Sequence, residues 1–252
     1  MGSGVVLATC AAVPDGDPDL LGSGYDVAVW DDPTVDWSRW DLVVLRSTWD
    51  YTTKPDAFLS WVHSLPRVLN EPDVVEWNHD KRYLQSLHIA GIPVVRTMWG
   101  PCSVPAGRWV VKPRIGAGAR GVRIVDGPIE IGEPVLVQPY LDGIGEHGET
   151  AVVYLGDELS HVARKDARLG LEKAHEHVAP RTPSTDELDL AEAVLDTIPF
   201  DRSQLLYARV DLVPDHNGEP ALLELELIEP SLFLHLGTGA HERFAAAIAA
   251  RL

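Results

Sequence analysis

Two strand-like runs near the C-terminal end set acidic side chains among apolar ones. Residues 205–213 carry Arg209 and Asp211, and residues 222–230 carry Glu224, Glu226 and Glu229. An unpaired buried carboxylate is costly, so something cationic has to meet these acids. Along a strand, residues two apart point to one face, which groups Arg209 with Asp211 and Glu224 with Glu226. The turn at 214–218, Pro-Asp-His-Asn-Gly, closes the runs into a hairpin and can bring Asp211 beside Glu224. Three converging carboxylates suit a hard divalent ion such as Mg2+, which needs only one or two of them and completes its shell with water and phosphate. Arg209 would face the same phosphates. A salt-bridged hairpin, with Arg209 neutralising Asp211 and both glutamates in solvent, satisfies the same residues.

A second constellation lies in the middle of the chain. Residues 109–113 read as a buried strand carrying Lys112 near its end, followed by Arg114, Gly116, Gly118, Arg120 and Gly121 and then a further apolar run at 122–125. The glycines match G-x-G-x-x-G, but a dinucleotide fingerprint has to open a helix, with a ribose-binding acid about 20 residues on. Here a strand follows, closed by Asp126-Gly127-Pro128. A glycine-rich hairpin beside a strand lysine instead fits a flap whose backbone N–H groups cover ATP phosphates. A flexible surface hairpin with a solvated lysine stays open as the alternative.

In this order, the two constellations resemble the ATP-grasp superfamily of carboxylate ligases, and the resemblance covers nearly the whole chain. It implies ATP and Mg2+ as cofactors. Residues 77–84 look like the helix start that supplies a first phosphate-binding lysine, Lys81. Lys112 would be the second, under a flap carrying Gly116, Gly118, Arg120 and Gly121. Residues 136–141 look like the hinge strand that holds adenine, with Gln138, Tyr140 and Leu141. A following hairpin would bring Lys165 towards the phosphates and substrate, Arg209 would stabilise developing charge, and Asp211, Glu224 and Glu226 would hold the metal.

Segments 41–51, 148–150 and 224–234 are further similar to an actinobacterial group of O-ureido-serine cyclo-ligase-like proteins. This implies Arg46, Asp50, Glu149 and Ser231 as substrate residues. Arg46 and Asp50 also end a predicted strand, where open α/β sheets bind ligands, although an ordinary surface ion pair accounts for them equally. Two positions depart from the wider superfamily: Glu226 stands where most members have Asn, and Pro230-Ser231 where they have Pro-Gly. The implied activity is ATP-dependent joining of a small-molecule carboxylate to an amine through an acyl phosphate, with both groups on one molecule if the reaction is a cyclisation. A non-catalytic ATP-binding module and a phosphotransferase are the other readings. The superfamily often forms dimers, which adds a homodimer as an expected partner.

These residues need elements to position them. Breakers and periodicity predict strands at 4–9, 25–30 and 42–46, a helix at 56–63 behind Pro55, a helix at 80–90, a strand at 92–96 behind Gly91, and strand-rich sequence over 108–141. A helix at 185–197 with Ser184 as N-cap and a last helix at 241–251 follow. The fold class is α/β (α+β): an ATP-grasp fold with an open α/β substrate lobe over 1–72, a small flap-bearing subdomain over 73–141 and a larger metal-bearing subdomain over 142–252. The stretch 19–24 leaves little room for a first helix between strands, so the N-terminal substrate pocket is expected to be trimmed.

Composition sets the outer bounds. At 252 residues and 45% hydrophobic content the chain can bury a substantial core. A formal charge of −17 repels nucleic acid and anionic membranes, so ATP has to be met by locally converging cations. No apolar run approaches the roughly 20 residues of a membrane span, and the start Met1-Gly2-Ser3-Gly4 lacks a signal-peptide pattern. Cys10 and Cys102 form no C-x-x-C pair, so neither a disulfide framework nor a zinc site is indicated, and reduced thiols fit an expected cytoplasmic enzyme. All eight Trp lie between Trp30 and Trp109, and core packing is favoured over a stacking surface. His175-Glu176-His177 has the outline of a metal pair but is read as loop.

Overall fold

The computed structural model describes residues 4–166 and 177–252, so Met1-Gly2-Ser3 and the His175-Glu176 part of the histidine motif lie outside the described residues. The chain builds three sheets. In the first, β1 (Val5–Thr9), β2 (Asp26–Val29), β3 (Leu42–Ser47) and β4 (Val68–Leu69) run parallel in the order β2-β1-β3-β4. Strands β1 and β3 are buried at every residue. Continuous apolar runs of this kind belong to a parallel sheet covered on both faces. One face meets Phe58 and Val62 of α1 (Pro55–Ser64), which Pro55 opens as expected. The same layer holds Trp30, Trp37 and Trp61, with ring centroids 5.0 to 5.6 Å apart. Between β1 and β2 only a single 3-10 turn, Pro18–Leu20, replaces a helix.

Two expectations in the next stretch need correction. The helix predicted at 80–90 is split from its approach: α2 (Pro72–Asn78) ends before it and α3 (Tyr83–Ile89) starts late. The cause is Asp80, whose carboxylate accepts the Arg82 backbone N–H at 3.0 Å and also the Arg114 guanidinium, holding 79–82 as a turn. The strand predicted at 92–96 does not form. Pro93 has no N–H to give a ladder, and Val94 makes only an isolated bridge to Leu222.

The second sheet contains β5 (Met98–Trp99), β6 (Cys102–Pro113), β7 (Arg123–Ile131) and β8 (Val135–Pro139), antiparallel in the order β5-β8-β6-β7. Val111 pairs with Arg123, so the glycine-rich segment is the tip of a β6–β7 hairpin and not a helix start. After the short α4 (Ile144–His147), the third sheet assembles β9 (Glu149–Leu155), β10 (Glu158–Lys165), β11 (Val178–Pro180), β12 (Tyr207–Pro214) and β13 (Pro220–Glu226) in the order β11-β10-β9-β12-β13.

Helix α5 (Thr185–Thr197) begins at Ser184, whose hydroxyl accepts the Glu187 N–H while Glu187 returns a bond to the Ser184 N–H. This reciprocal cap satisfies two otherwise orphaned donors. Leu190, Ala191, Val194 and Leu195 then face the third sheet's core. Helix α6 (Ala240–Ala249) buries Phe244 and Ile248 beside the first sheet's other face. Asn70 joins the first and third sheets: its side-chain amide donates to Tyr207 O at 2.9 Å and Leu227 O at 2.6 Å, and its oxygen accepts Leu206 N at 2.6 Å.

Candidate active site

The β12–β13 register sets Arg209 opposite Glu226 and Asp211 opposite Glu224, so the four charged side chains alternate with buried apolar neighbours. Glu224, Glu226 and Arg209 open into a cavity of about 400 Å3. Lys165, from the end of β10, and Glu149, from the start of β9, line it as well. From the other side come Lys81, in the turn that Asp80 holds, and Lys112, near the end of β6. Gly116, Gly118 and Arg120 of the hairpin tip form part of the wall, and Gln138 and Leu141 line the hinge side.

One contact ties three of these segments together. Lys81 Nζ donates to Gly116 O at 2.6 Å and pairs with Glu224 Oε1 at 2.8 Å, joining the turn, the flap and β13. Arg120 donates to Trp49 O at 2.7 Å and so rests the flap on the first sheet's end. The loop needs glycine where it turns. Gly121 has φ of +72°, and a Cβ there would lie 2.9 Å from Pro113 Cγ.

The charges are largely paired in place. Asp211 is fully buried; although burial works against its ionisation, Arg209 at 2.9 Å and Lys165 at 2.5 Å hold it below the usual carboxylate range. Lys165 also pairs with Glu149 at 2.8 Å, and Arg209 with Glu226. For Glu226, burial reinforced by Asp211 and Glu224 outweighs Arg209 and pushes the carboxyl up to about 7. Burial opposes the charge of Lys81, but Glu224 keeps it above the ordinary lysine range. Lys112 goes the other way: burial pushes its ammonium down despite Glu224 and Glu149. Among the described residues it makes no ion pair.

Not every expected residue reaches the cavity. Asp211 stands behind the lining, with its oxygens on Arg209 and Lys165. Gly121 shapes the flap from outside the lining, and Tyr140 turns away to lie under the Arg108 guanidinium, 4.1 Å from its ring centroid. Arg46 is 1% exposed and sits in the core, paired with Asp17 at 2.6 Å and stacked 5.1 Å from the Tyr207 centroid. It donates at 2.9 Å to Pro230 O, between the lining residues Glu229 and Ser231, and does not itself line the cavity. Asp50 accepts the Trp30 indole N–H at 2.7 Å and is also outside the lining. The surface ion pair offered for Arg46 and Asp50 is therefore replaced by two separate structural bonds. Ser231 does line the cavity.

The structure adds Trp49, Tyr51 and Glu229, which sequence reasoning did not assign. Glu229 breaks the period-two pattern of Glu224 and Glu226, because β13 ends at Glu226 and the chain bends. Trp49 and Tyr51 follow a strand rather than lie in one, so no periodicity marked them.

The donor set fits the groups it would have to hold. Glu224 and Glu226 offer two adjacent carboxylates to a hard cation, which is enough for Mg2+ with phosphate and water. Gln138 is 2% exposed and its Oε1 is buried with no hydrogen-bond partner, an acceptor that an amino group on a bound base would satisfy. Among the described residues no helix is long and apolar enough to cross a membrane.

A family model for the N-terminal domain of D-cycloserine synthetase DcsG matches residues 5–70. The cycloserine biosynthesis protein DcsG of Streptomyces lavendulae is 32% identical over 271 residues, covering 92% of this chain and 90% of that protein. The crystal structure of D-cycloserine synthetase DcsG aligns with a TM-score of 0.82 at 29% identity, over 98% of this chain and 99% of that one. A structure of the ATP-grasp ligase PsnB, complexed with a precursor variant, Mg and ADP, aligns with a TM-score of 0.64 over 99% of each chain; at 16% identity it shares the fold alone.

Proposed function

The chain belongs to the ATP-grasp ligases, in the family of D-cycloserine synthetase DcsG, and from that premise we propose that its cavity joins the carboxylate of a small amino-acid-like substrate to a nitrogen nucleophile at the expense of ATP. The observation that carries this reading is the Lys81 bridge, which gathers the flap and a β13 carboxylate around one ammonium. Lysines and carboxylates interleaved at this density suit a polyanion bound together with cations.

Lys112, free of carboxylate partners among the described residues, would take phosphate oxygens directly, with Lys81 and Arg120 beside it. Gln138 and Leu141 would receive the base, the unpaired Gln138 Oε1 supplying the acceptor. Glu224 and Glu226, backed by Asp211, would hold Mg2+, which supplies charge neutralisation for phosphoryl transfer. The γ-phosphoryl group would pass to a substrate carboxylate oxygen as its bond to ADP breaks. A nitrogen would then attack the acyl carbon and expel phosphate. Arg209 and Lys165 would face the developing oxyanion, and the flap at 116–121 would exclude water from the acyl phosphate. Glu149 and Ser231 border the space left for substrate. Where both reacting groups belong to one molecule, as in O-ureido-serine, ring closure gains from proximity, with effective molarities as high as roughly 10⁵ M or more in favourable cases. An ATP consumer of this kind works in the cytoplasm.

The test is Mg2+-dependent phosphate release from ATP with amino acids offered singly and in pairs, O-ureido-serine included. Release with a single substrate supports cyclisation, and release only with pairs supports intermolecular ligation. A stable phosphorylated product, identified by mass spectrometry, would replace the ligase reading with a phosphotransferase. ATP binding without phosphate release on any substrate would leave a binding module.

A further inference from the structure

Five carboxylates line the cavity: Glu149, Asp166, Glu224, Glu226 and Glu229. Four are ion-paired, with Lys165, Arg164, Lys81 and Arg209 respectively. Among the described residues the Glu229 carboxyl has neither an ion pair nor a hydrogen bond, although the residue is only 8% exposed. Burial, reinforced by Glu226 and Glu224, pushes this cavity-lining carboxyl well above the usual carboxylate range, and a cation brought beside it would reverse that and complete it.

Glu229 is also held in position with unusual thoroughness. Its backbone oxygen accepts the Trp49 indole N–H at 3.2 Å, the next carbonyl, Pro230 O, accepts Arg46 at 2.9 Å, and Ser231 O accepts Arg209 at 2.9 Å. Three successive carbonyls are thus clamped by side chains from β3, the turn after it and β12. Rigid mounting of this kind lowers the ordering cost of binding. It also gives Arg46 a reason for its burial, since it fixes the segment that carries Glu229.

The surroundings indicate what the partner is. Trp49 and Tyr51 also line the cavity, and aromatic side chains suit an organic ammonium. A hard metal would instead collect several oxygens, and Glu224 and Glu226 already offer these on β13. Arg209, tied to Ser231 O two residues beyond Glu229, is the cation suited to the substrate's carboxylate. An anion subsite and a cation subsite on one short clamped segment match the two charges of an amino acid.

We propose that Glu229 is the counter-ion for the substrate's ammonium group, so that the cavity selects molecules bearing a free amino group close to the carboxylate that is activated. This rests on the ligase reading of the same cavity and adds the feature by which it would recognise its substrate. Substrates that lack the amino group, or carry it acylated, would cover Glu229 without giving it a partner and be rejected on that account.

The test is calorimetric titration of the full chain, loaded with Mg2+ and a non-hydrolysable ATP analogue. The probes are alanine and O-ureido-serine, both enantiomers of each, against propionate and N-acetyl-O-ureido-serine. The wild-type chain should bind an amino-bearing probe roughly a hundredfold more tightly than its amino-blocked counterpart. Glu229→Gln, which keeps the shape and removes the charge, should reduce that ratio to within about threefold and leave nucleotide affinity unchanged. Glu229→Asp should restore part of the preference. Retention of the full preference in Glu229→Gln would overturn the proposal. So would a loss of nucleotide or Mg2+ affinity in that variant, which would assign Glu229 to the metal set, or nucleotide binding by the wild type with no affinity for any amino-bearing probe. Failure of the wild type to bind nucleotide, or nucleotide binding that ignores Lys112→Ala, would instead bring down the ligase reading and the proposal with it.

Discussion

Lys81 and Lys112 are two buried lysines with opposite circumstances, and the difference makes them separable by mutation. Lys81 has Glu224 and Gly116 O as partners, whereas Lys112 has no carboxylate of its own among the described residues. Lys81→Ala should therefore unpair Glu224 and cost about 3 kcal/mol of stability. Lys112→Ala should cost little or nothing in urea unfolding while lowering ATP affinity at least about tenfold, the equivalent of ~1.4 kcal/mol in a nucleotide titration. Equal destabilisation by both would mean that Lys112 is structural.

Glu226 gives a pH dependence with a definite sign. Its folded value of about 7 lies above the ordinary 4.5, so between those values the folded chain holds a proton that the unfolded chain has released. This contribution to stability is complete below about pH 4.5 and is lost as pH rises towards 7. In EDTA, denaturant midpoints measured from pH 5 to 8 should fall more steeply for the wild type than for Glu226→Gln. Parallel profiles would show that Glu226 titrates normally.

The flap joins a fixed frame to a tip held in positive-φ conformations. Its hairpin frame is fixed by the β6–β7 ladder, but its tip relies on Gly118 and Gly121 at φ of +61° and +72° and on the Arg120 bond to Trp49 O. Gly121→Ala combines a positive φ with an approach to Pro113 and should strain the tip by about 1–2 kcal/mol. Because the strain is local, global unfolding should shift little. Turnover should fall roughly tenfold, and residues 114–122 should lose nucleotide-dependent protection in hydrogen exchange. Wild-type protection in Gly121→Ala would show that the tip tolerates a side chain. The hairpin itself was legible in the sequence, since apolar runs flank the glycines and no helical period follows them. The turn at 79–82 was not legible, because it depends on Arg114 reaching back to Asp80 across 34 positions.

At the scale of the molecule, a few buried polar side chains hold the first sheet against the third. Asn70 satisfies four backbone groups around β12 and the end of β13, and the Tyr207 hydroxyl donates to Leu45 O while lying 2.8 Å from Ile228 O. Asn70→Ala would leave those backbone groups unpaired in the core and should cost about 2–4 kcal/mol. Thermal unfolding should move accordingly, with the ATP affinity of the remaining folded protein unchanged. Loss of ATP affinity at full stability would instead mean that the junction transmits to the cavity. Arg46 belongs to this scale too: a core ion pair with Asp17, not a group exposed to substrate.

What the sequence determined by itself was local and periodic. Alternation over residues 205–227 set the charged and apolar faces of β12 and β13, and the turn between them fixed the pairing of Asp211 with Glu224. Glycine spacing followed by a strand identified the flap, and Ser184 with Glu187 marked the start of α5. What only the tertiary structure decided was which charges meet. Asp211 is taken up by Arg209 and Lys165, Arg46 by Asp17, and Tyr140 by Arg108, each partner supplied by another strand, by the turn after β1 or by a neighbouring residue whose direction depends on packing. Glu229 is the clearest case. Its place in the cavity follows from the bend after β13 and from clamps reaching in from residues about 180 positions away, and neither leaves a period in the sequence.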